Sequence, residues 1–122
     1  MNRTALFPGS FDPFTLGHKI VVDQGLELFE RIVIAVGVNT EKRGLLTPEN
    51  RARLIRDLYR NDSRIEVVIY NELTGKVCRQ LGIDTILRGL RNTVDFEYER
   101  NIMQVNQTLF PEIKTVLLFT PA

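Results

Sequence analysis

The stretch from Arg31 to Val38 is a nearly unbroken run of β-branched and other apolar residues. A strand with one face in water alternates apolar and polar side chains, whereas a strand covered on both faces is apolar throughout. Strands of the second kind occur in parallel sheets, where crossover helices cover both faces. The run therefore predicts a buried parallel strand and an α/β chain.

Strand-like and helix-like segments alternate along the rest of the chain. Short apolar runs predict further strands at 4–7, 65–69, 85–87 and 115–119. Helical spacing predicts helices at 17–30, 48–60, 73–81 and 95–109, the second with Thr47 as its N-cap and the third with Gly82 as its C-cap. The order predicts a Rossmann-like parallel five-stranded sheet with helices on both faces.

The helical apolar residues are expected to face the core. Those assigned to the core side are Val22, Leu26 and Phe29 in the first helix, with Val21, Gly25 and Leu28 beside them, Leu54, Ile55 and Leu58 in the second, Val77 and Leu81 in the third, and Tyr98, Ile102, Val105 and Leu109 in the fourth.

Composition narrows the function class. A chain of 122 residues that is 43% hydrophobic suits one core, so residues 1–122 are predicted to be a single domain. A net charge of +1 without long charged runs argues against a protein that binds nucleic acid or membranes through its overall charge. The lone Cys78 excludes an internal disulfide and fits a reducing compartment. With no apparent signal peptide or membrane-length apolar run, we expect a soluble, cytoplasmic protein.

The junction after the first strand has the features of a phosphate site. Pro8-Gly9 ends the strand and Gly17 opens the next helix, so loop and helix N–H groups point into one crevice. The only histidine, His18, lies at the opening of this crevice, and Ser10 in the same loop adds a hydroxyl group. Imidazole and hydroxyl groups can both donate hydrogen bonds to phosphoryl oxygens. Taken alone, His18 is equally well explained as a partly exposed residue at a helix start.

Further cationic side chains follow the second and fourth strands, where a parallel sheet gathers ligands. These are Lys42, Arg88 and Arg91. Lys42 alone is best explained as a solvated charge, whereas two arginines aimed at one crevice favour an anion between them. The chain lacks a GxGxxG motif, a Walker lysine and zinc-ligand spacing, so no protein-ligated metal is predicted. A triad of Ser10, His18 and Asp12 has poor support in so tight a loop.

Five segments together resemble a known family. They are Gly9-Ser10-Phe11-Asp12-Pro13, Thr15-Leu16-Gly17-His18, Lys42, Arg88-Gly89-Leu90-Arg91 and Asp95-Phe96-Glu97-Tyr98-Glu99. In these the chain resembles the bacterial phosphopantetheine adenylyltransferases of the nucleotidylyltransferase superfamily. The superfamily usually carries HxGH, whereas TxGH with RGLR and DFEYE is typical of this one family. The resemblance implies the nucleotidylyltransferase fold and transfer of AMP from ATP to 4'-phosphopantetheine, giving dephospho-coenzyme A and pyrophosphate.

The resemblance also implies residue roles. His18 would stabilise the transition state, with Ser10, Lys42 and Arg91 as further catalytic groups. Contacts to ATP would come from Ser10, Phe11, His18, Gly89, Leu90, Arg91 and Glu99. Contacts to phosphopantetheine would come from Ser10, Lys42, Thr74 and Arg88, and we add Asn106, which shares a helical stripe with Glu99.

Mg²⁺ is expected to arrive with the ATP phosphates, and the resemblance implies a homo-oligomer, a hexamer in this family. Family members continue beyond position 122 into a serine-rich loop that binds the β- and γ-phosphates, so we expect weakened ATP binding and a poorly covered sheet in the 122 residues alone. Two alternatives stay open at this point: a cytidylyl- or nicotinate-mononucleotide nucleotidylyltransferase, and a nucleotide-binding module without catalysis.

Overall fold

The computed structural model describes residues 3–38 and 46–121. Within them strands and helices alternate in the order β1 (Thr4–Gly9), α1 (Leu16–Leu28), β2 (Arg31–Gly37), α2 (Pro48–Leu58), β3 (Ile65–Tyr70), α3 (Thr74–Leu81), β4 (Thr85–Leu90), α4 (Thr93–Leu109) and β5 (Lys114–Phe119).

The strands form a sheet of order β3-β2-β1-β4-β5 in which every pairing is parallel. The run that predicted a buried strand is β2, where Ile32 to Val36 are all buried between two neighbouring strands. The predicted five-stranded parallel α/β sheet is confirmed. The chain moves outward from β1 to β2 and β3 on one side, and through β4 to β5 on the other. Parallel sheets bind ligands where the strand order reverses in this way, and here that point lies between β1 and β4.

Side chains alternate across the sheet and build a core on each face. One core joins Phe7, Ile34 and Leu87 to Val22 of α1 and Ile55 of α2. The other core joins β-strand residues to α3 and to the segment after α4, through Leu6, Ile86, Val77, Phe110 and Ile113. Helices α1 and α2 therefore cover one face of the sheet, and α3 covers part of the other.

The helix ends follow local sequence chemistry. Thr47 caps α2 by accepting a hydrogen bond from the Asn50 N–H, and Pro48 occupies the first turn, where its missing N–H is harmless. Gly82 ends α3 in the left-handed conformation at a φ of 69°, which glycine adopts at low cost. Both predicted caps are confirmed.

Strands β1 and β4 extend two or more residues beyond their predicted ends. Strand β1 includes Pro8 and Gly9, because the ladder to β2 continues at Pro8↔Ala35 and Gly9↔Val36. Proline fits there because the β1–β4 pairing lies further back, at Leu6↔Ile86. Strand β4 continues through Arg88 and Gly89 to Leu90, paired with β5. The polar residues predicted to follow β4 thus lie partly within it, where their side chains alternate between the two faces.

Several predicted core positions are wrong. Side chains expected inside but found exposed are Leu54, Leu58, Leu81 and the whole α4 row of Tyr98, Ile102, Val105 and Leu109. On α4 the side chains of Glu99, Met103 and Asn106 are buried or half-buried, whereas Tyr98, Ile102 and Val105 border the same open cleft and stay exposed. The α4 periodicity correctly indicated an apolar stripe, but a stripe does not specify which surface covers it. The helix leaves an open space between itself and the sheet.

Candidate active site

A cleft of about 1270 Å³ lies between the sheet and helix α4, on the face of the sheet that α3 partly covers. Its wall includes residues from the carboxyl ends of β1 and β2, the start of α3, and the inward side of α4. Predicted site residues that line it are Ser10, Thr74, Arg88, Glu99 and Asn106. The four described residues that the sequence assigned to phosphopantetheine are therefore gathered around one cavity.

Arg88 and Glu99 form a partly buried ion pair in that wall. The Arg88 Nη2 donates to Oε1 of Glu99 at 2.7 Å, and the Arg88 Nε donates to both carboxylate oxygens at 3.0 and 3.1 Å. The Glu99 side chain is only 7% exposed, and that of Arg88 is 28% exposed. The Arg88 Nη1 also donates to the carbonyl of Pro8. Of five guanidinium N–H groups, two are left over by these described contacts and can meet an anion.

Of the residues assigned to ATP, Phe11, His18 and Gly89 lie on the α1 face of the sheet, whereas Ser10 and Glu99 line the cleft. In β4, Ile86 and Arg88 point toward the cleft, whereas Leu87 and Gly89 point toward α1. A Cβ on Gly89 would lie 2.7 Å from the Val21 side chain, so only glycine allows this close contact with α1. Leu90 is buried, which leaves its backbone as the part available to a ligand.

His18 lies on the α1 side, within a cluster of aromatic rings. Ring centroids of Phe11, Phe14 and Phe7 are 5.0, 5.4 and 6.2 Å from that of the imidazole. Phe11 reaches this position from a left-handed backbone conformation with a φ of 52°. Backbone strain of that kind recurs at functional loops because the surroundings hold it in place.

The proton position on His18 is set by its neighbour Thr15. The Thr15 backbone N–H donates to Nδ1 of His18 at 2.9 Å, and the His18 N–H donates to Oγ1 of Thr15 at 3.4 Å. Because a backbone amide can only donate, Nδ1 must accept, and the neutral ring carries its proton on Nε2. This capping box at the start of α1 leaves a single ring N–H free to donate to a ligand.

The electrostatics of the site favour the neutral imidazole. Burial lowers the pKa of His18 below its ordinary value of 6.5, and the positive charges of Arg88 and Arg91 lower that pKa further. His18 is therefore a neutral hydrogen-bond donor near pH 7.

Arg91 lies at the end of β4 and is mostly exposed. Its Nε and backbone N–H both donate to Oδ2 of Asp95 at 3.0 Å, which fixes the arginine against the first turn of α4. This pairing lowers the pKa of the Asp95 carboxyl. Lys42 lies outside the described residues, so its predicted role stays a prediction.

Arg51 is a site residue that the sequence prediction missed. It lies in the first turns of α2, is 7% exposed, and lines the cleft beside Ser10. Its guanidinium donates to the carbonyls of Ser10 and Leu46. The signal that could have found it is Thr47-Pro48, since a helix beginning there presents its first turns at the carboxyl edge of the sheet.

Comparison with known proteins identifies the family of this chain. A family model described as cytidylyltransferase-like matches residues 6–120. The phosphopantetheine adenylyltransferase of Flavobacterium psychrophilum is 45% identical over 120 residues, which cover 98% of this chain and 79% of that protein. The enzyme of the same description from Lactobacillus johnsonii is 46% identical over 117 residues, covering 95% of this chain and 70% of that protein.

The chain belongs to the phosphopantetheine adenylyltransferase family. The predicted activity, adenylyl transfer to 4'-phosphopantetheine in coenzyme A biosynthesis, is thereby confirmed. Solved structures agree on the fold. The NadR protein in complex with NAD and AMP-PNP superposes with a TM-score of 0.71 at 15% identity, over 98% of this chain and 38% of that one. A bifunctional NMN adenylyltransferase/ADP ribose pyrophosphatase from Francisella tularensis gives 0.69 at 14%, over 97% and 38%.

Within residues 3–38 and 46–121, no group of three or more His, Cys, Asp or Glu side chains is placed to hold a metal ion. No helix in the same ranges is long and apolar enough to cross a membrane.

Proposed function

We propose that this adenylyltransferase binds its two substrates on opposite faces of the sheet, at the carboxyl ends of β1 and β4. The observation that carries the proposal is the division of the site: Ser10, Thr74, Arg88 and Asn106 line one cleft, whereas His18 and Gly89 lie toward α1. The cleft would hold phosphopantetheine and the α1 side would hold ATP. The adenylyl group would be transferred at the carboxyl ends of β1 and β4, where the loop that carries Ser10 begins.

On the cleft side, Arg88 would receive the acceptor phosphate. Glu99 and the Pro8 carbonyl hold the guanidinium from one side and leave two N–H groups for the anion. Beyond it the cleft is lined by Thr74, Asn106 and Met103, a mixture of polar and apolar groups that suits an amide-containing chain. Lys42, assigned by the resemblance, would add a second positive charge to the same phosphate.

On the α1 side, His18 would donate Nε2–H to a nonbridging oxygen of the ATP α-phosphate. Attack by an acceptor phosphate oxygen on the α-phosphorus increases the negative charge on those oxygens in the transition state, and a fixed donor there lowers the barrier. No covalent intermediate is needed, so catalysis consists of alignment and charge stabilisation. Ser10 would contact both substrates. The resemblance also assigns Phe11, Leu90, Arg91 and Glu99 to ATP, and of these Glu99 lies in the cleft wall beside Arg88.

Magnesium would be held by phosphate oxygens and water. Carboxylates near the site are occupied, Asp95 by Arg91 and Glu99 by Arg88, so the described residues offer no dedicated ligand set. This fits Mg²⁺, which keeps several waters and needs few protein oxygens. When bound with ATP, the ion would neutralise charge on the leaving pyrophosphate.

We further propose that the protein is a homo-oligomer. The family resemblance implies a hexamer. The support is the row of exposed apolar side chains on α4, in which Tyr98 is 64% and Val105 is 58% exposed. Exposed apolar surfaces mark interaction sites, and this row runs along α4 from the border of the cleft, where Tyr98, Ile102 and Val105 lie, to Leu109. A cytoplasmic location is also proposed, with support from the buried, unpaired thiol of Cys78.

Pyrophosphate release tests the substrate assignment. The chain is incubated with ATP and Mg²⁺ and with either 4'-phosphopantetheine or nicotinate mononucleotide, and CTP replaces ATP in a third reaction. Release with ATP and phosphopantetheine alone supports the proposal. Binding of ATP without release under any condition would favour a nucleotide-binding module instead.

A further inference from the structure

Arg51 joins three separate segments at the carboxyl edge of the sheet. Its Nη1 donates to the Ser10 carbonyl at 2.5 Å and lies 3.5 Å from the Gly37 carbonyl. Its Nε donates to the Leu46 carbonyl at 3.1 Å. The three acceptors belong to the loop after β1, the end of β2 and the residue before the Thr47 cap of α2.

Arg51 is only 7% exposed, and a buried guanidinium without hydrogen-bond acceptors is costly, so its N–H groups must find partners within the protein. A guanidinium suits this position since its N–H groups form a rigid planar fork that reaches several acceptors at once. A lysine ammonium is also charged, but it is a single point and lacks the fork. The contact pattern therefore favours arginine over lysine.

The Ser10 carbonyl is the acceptor that matters for the reaction. Ser10 lies between Gly9, the last residue of β1, and Phe11, whose ring packs against the imidazole of His18. A shift of the Ser10 peptide would move the Ser10 hydroxyl and the Phe11 ring together. The neighbouring Asp12 is tied to the same place, because its Oδ1 accepts the Leu46 N–H at 3.2 Å.

We infer that Arg51 is a positioning residue for adenylyl transfer, which holds the Ser10 loop against the ends of β2 and α2. This inference rests on the proposed function of Ser10 and His18. Arg51 acts through the backbone of Ser10 and not through a substrate, so its loss should impair the chemical step more than the binding of either substrate. A misplacement of about 1 Å in such a site costs about a hundredfold in rate.

The test compares Arg51→Met and Arg51→Lys with wild type in the pyrophosphate-release assay, with kcat and each KM measured separately. Arg51→Met is expected to lose about a hundredfold in kcat while both KM values stay within about threefold. Arg51→Lys is expected to recover about tenfold of that loss, since it restores the charge and one hydrogen bond. Thermal unfolding of each variant gives the folded fraction to which kcat is referred.

Arg56→Met is the matched control. Arg56 lies on the same helix and its Nη2 donates to a backbone carbonyl, that of Val67 in β3, away from the cleft. Its kcat should stay near the wild-type value. The inference is overturned if Arg51→Met keeps its kcat, or if only a KM rises, which would make Arg51 a direct ligand. If Arg51→Met does not fold, Arg51→Lys alone must show the lowered kcat with unchanged KM. If the wild-type chain releases no pyrophosphate, the proposed function itself is contradicted.

Discussion

The backbone N–H of Thr15 donates to Nδ1 of His18 across 2.9 Å, and this one bond decides which ring nitrogen of His18 can act on a ligand. The neutral imidazole must carry its proton on Nε2. The bond forms because Thr15 is the N-cap of α1 and His18 is the third residue of that helix, so the TxGH spacing itself creates it.

Replacing Thr15 with Val removes Oγ1, which accepts the His18 N–H and lies 3.1 Å from Nδ1. We expect a loss of about 1 kcal/mol in the free energy of unfolding, as for other lost helix caps. With the imidazole less firmly held, kcat should fall about tenfold. Thr15→Ser keeps the hydroxyl and serves as the control, and denaturant titration and steady-state kinetics measure both effects. Equal kinetics for the two variants would contradict a role for the hydroxyl.

The lowered pKa of His18 predicts a pH dependence of stability. The unfolded chain takes up a proton near pH 6.5, whereas the folded chain takes it up only at lower pH. The unfolded state therefore binds more protons between the two pKa values, and stability must fall as the pH drops through that window. Because His18 is the only histidine, His18→Asn should remove this loss.

The measurement is the free energy of unfolding at about pH 7.5 and about pH 5.5, where few carboxylates titrate. Wild type should lose stability between these values and the variant should lose less. The same change in both proteins would show that His18 has an unshifted pKa in the folded state.

Glu99→Gln tests whether this residue acts through Arg88. The substitution removes the negative charge that holds the guanidinium, and we expect the free energy of unfolding to fall by about 2 to 3 kcal/mol. A displaced Arg88 should raise the KM for phosphopantetheine more than the KM for ATP, since Arg88 faces the cleft. Steady-state kinetics with each substrate varied in turn provides the check. A selective rise in the KM for ATP would instead support the ATP contact implied by the resemblance.

Val105→Glu tests the apolar row on α4 as a contact between copies of the chain. Val105 is 58% exposed at the border of the cleft, so a charge there costs little within one copy but would be buried if this row contacts another copy. We expect a smaller molar mass in light scattering or sedimentation than for wild type. Leu54→Glu, at a 52% exposed position on α2, is the control and should keep the wild-type mass. An unchanged mass for Val105→Glu would exclude this row from any interface.

The sequence carried enough information for the sheet and its helices because each was encoded locally. The apolar run of β2, the Thr47-Pro48 cap and the left-handed Gly82 each depend on near neighbours in the chain. The apolar row of α4 was misplaced because its periodicity is equally compatible with a core face or an exposed face. Which face turns inward depends on Arg88 in another element, which draws Glu99 toward the sheet.

The site was predictable as far as motifs reached. TxGH and RGLR located His18, Arg88 and Arg91, but they did not indicate which side of the sheet each occupies. Assigning each residue to a face requires the alternation of side chains along β4. The sequence did not predict that β4 continues to Leu90, because the polar Arg88 interrupts the apolar run. Arg51 was not predicted from the sequence because its role depends on three carbonyl groups that lie in separate segments. No local sequence pattern encodes those contacts.

The most direct test of the account is His18→Ala, measured for both turnover and ATP affinity. If Nε2–H stabilises charge that develops in the transition state, kcat should fall about a hundredfold to a thousandfold. The dissociation constant for ATP, measured by calorimetry, should change by less than about threefold, because ground-state binding does not depend on that bond. A loss of ATP affinity as large as the loss of turnover would contradict the account and make His18 a plain ATP ligand.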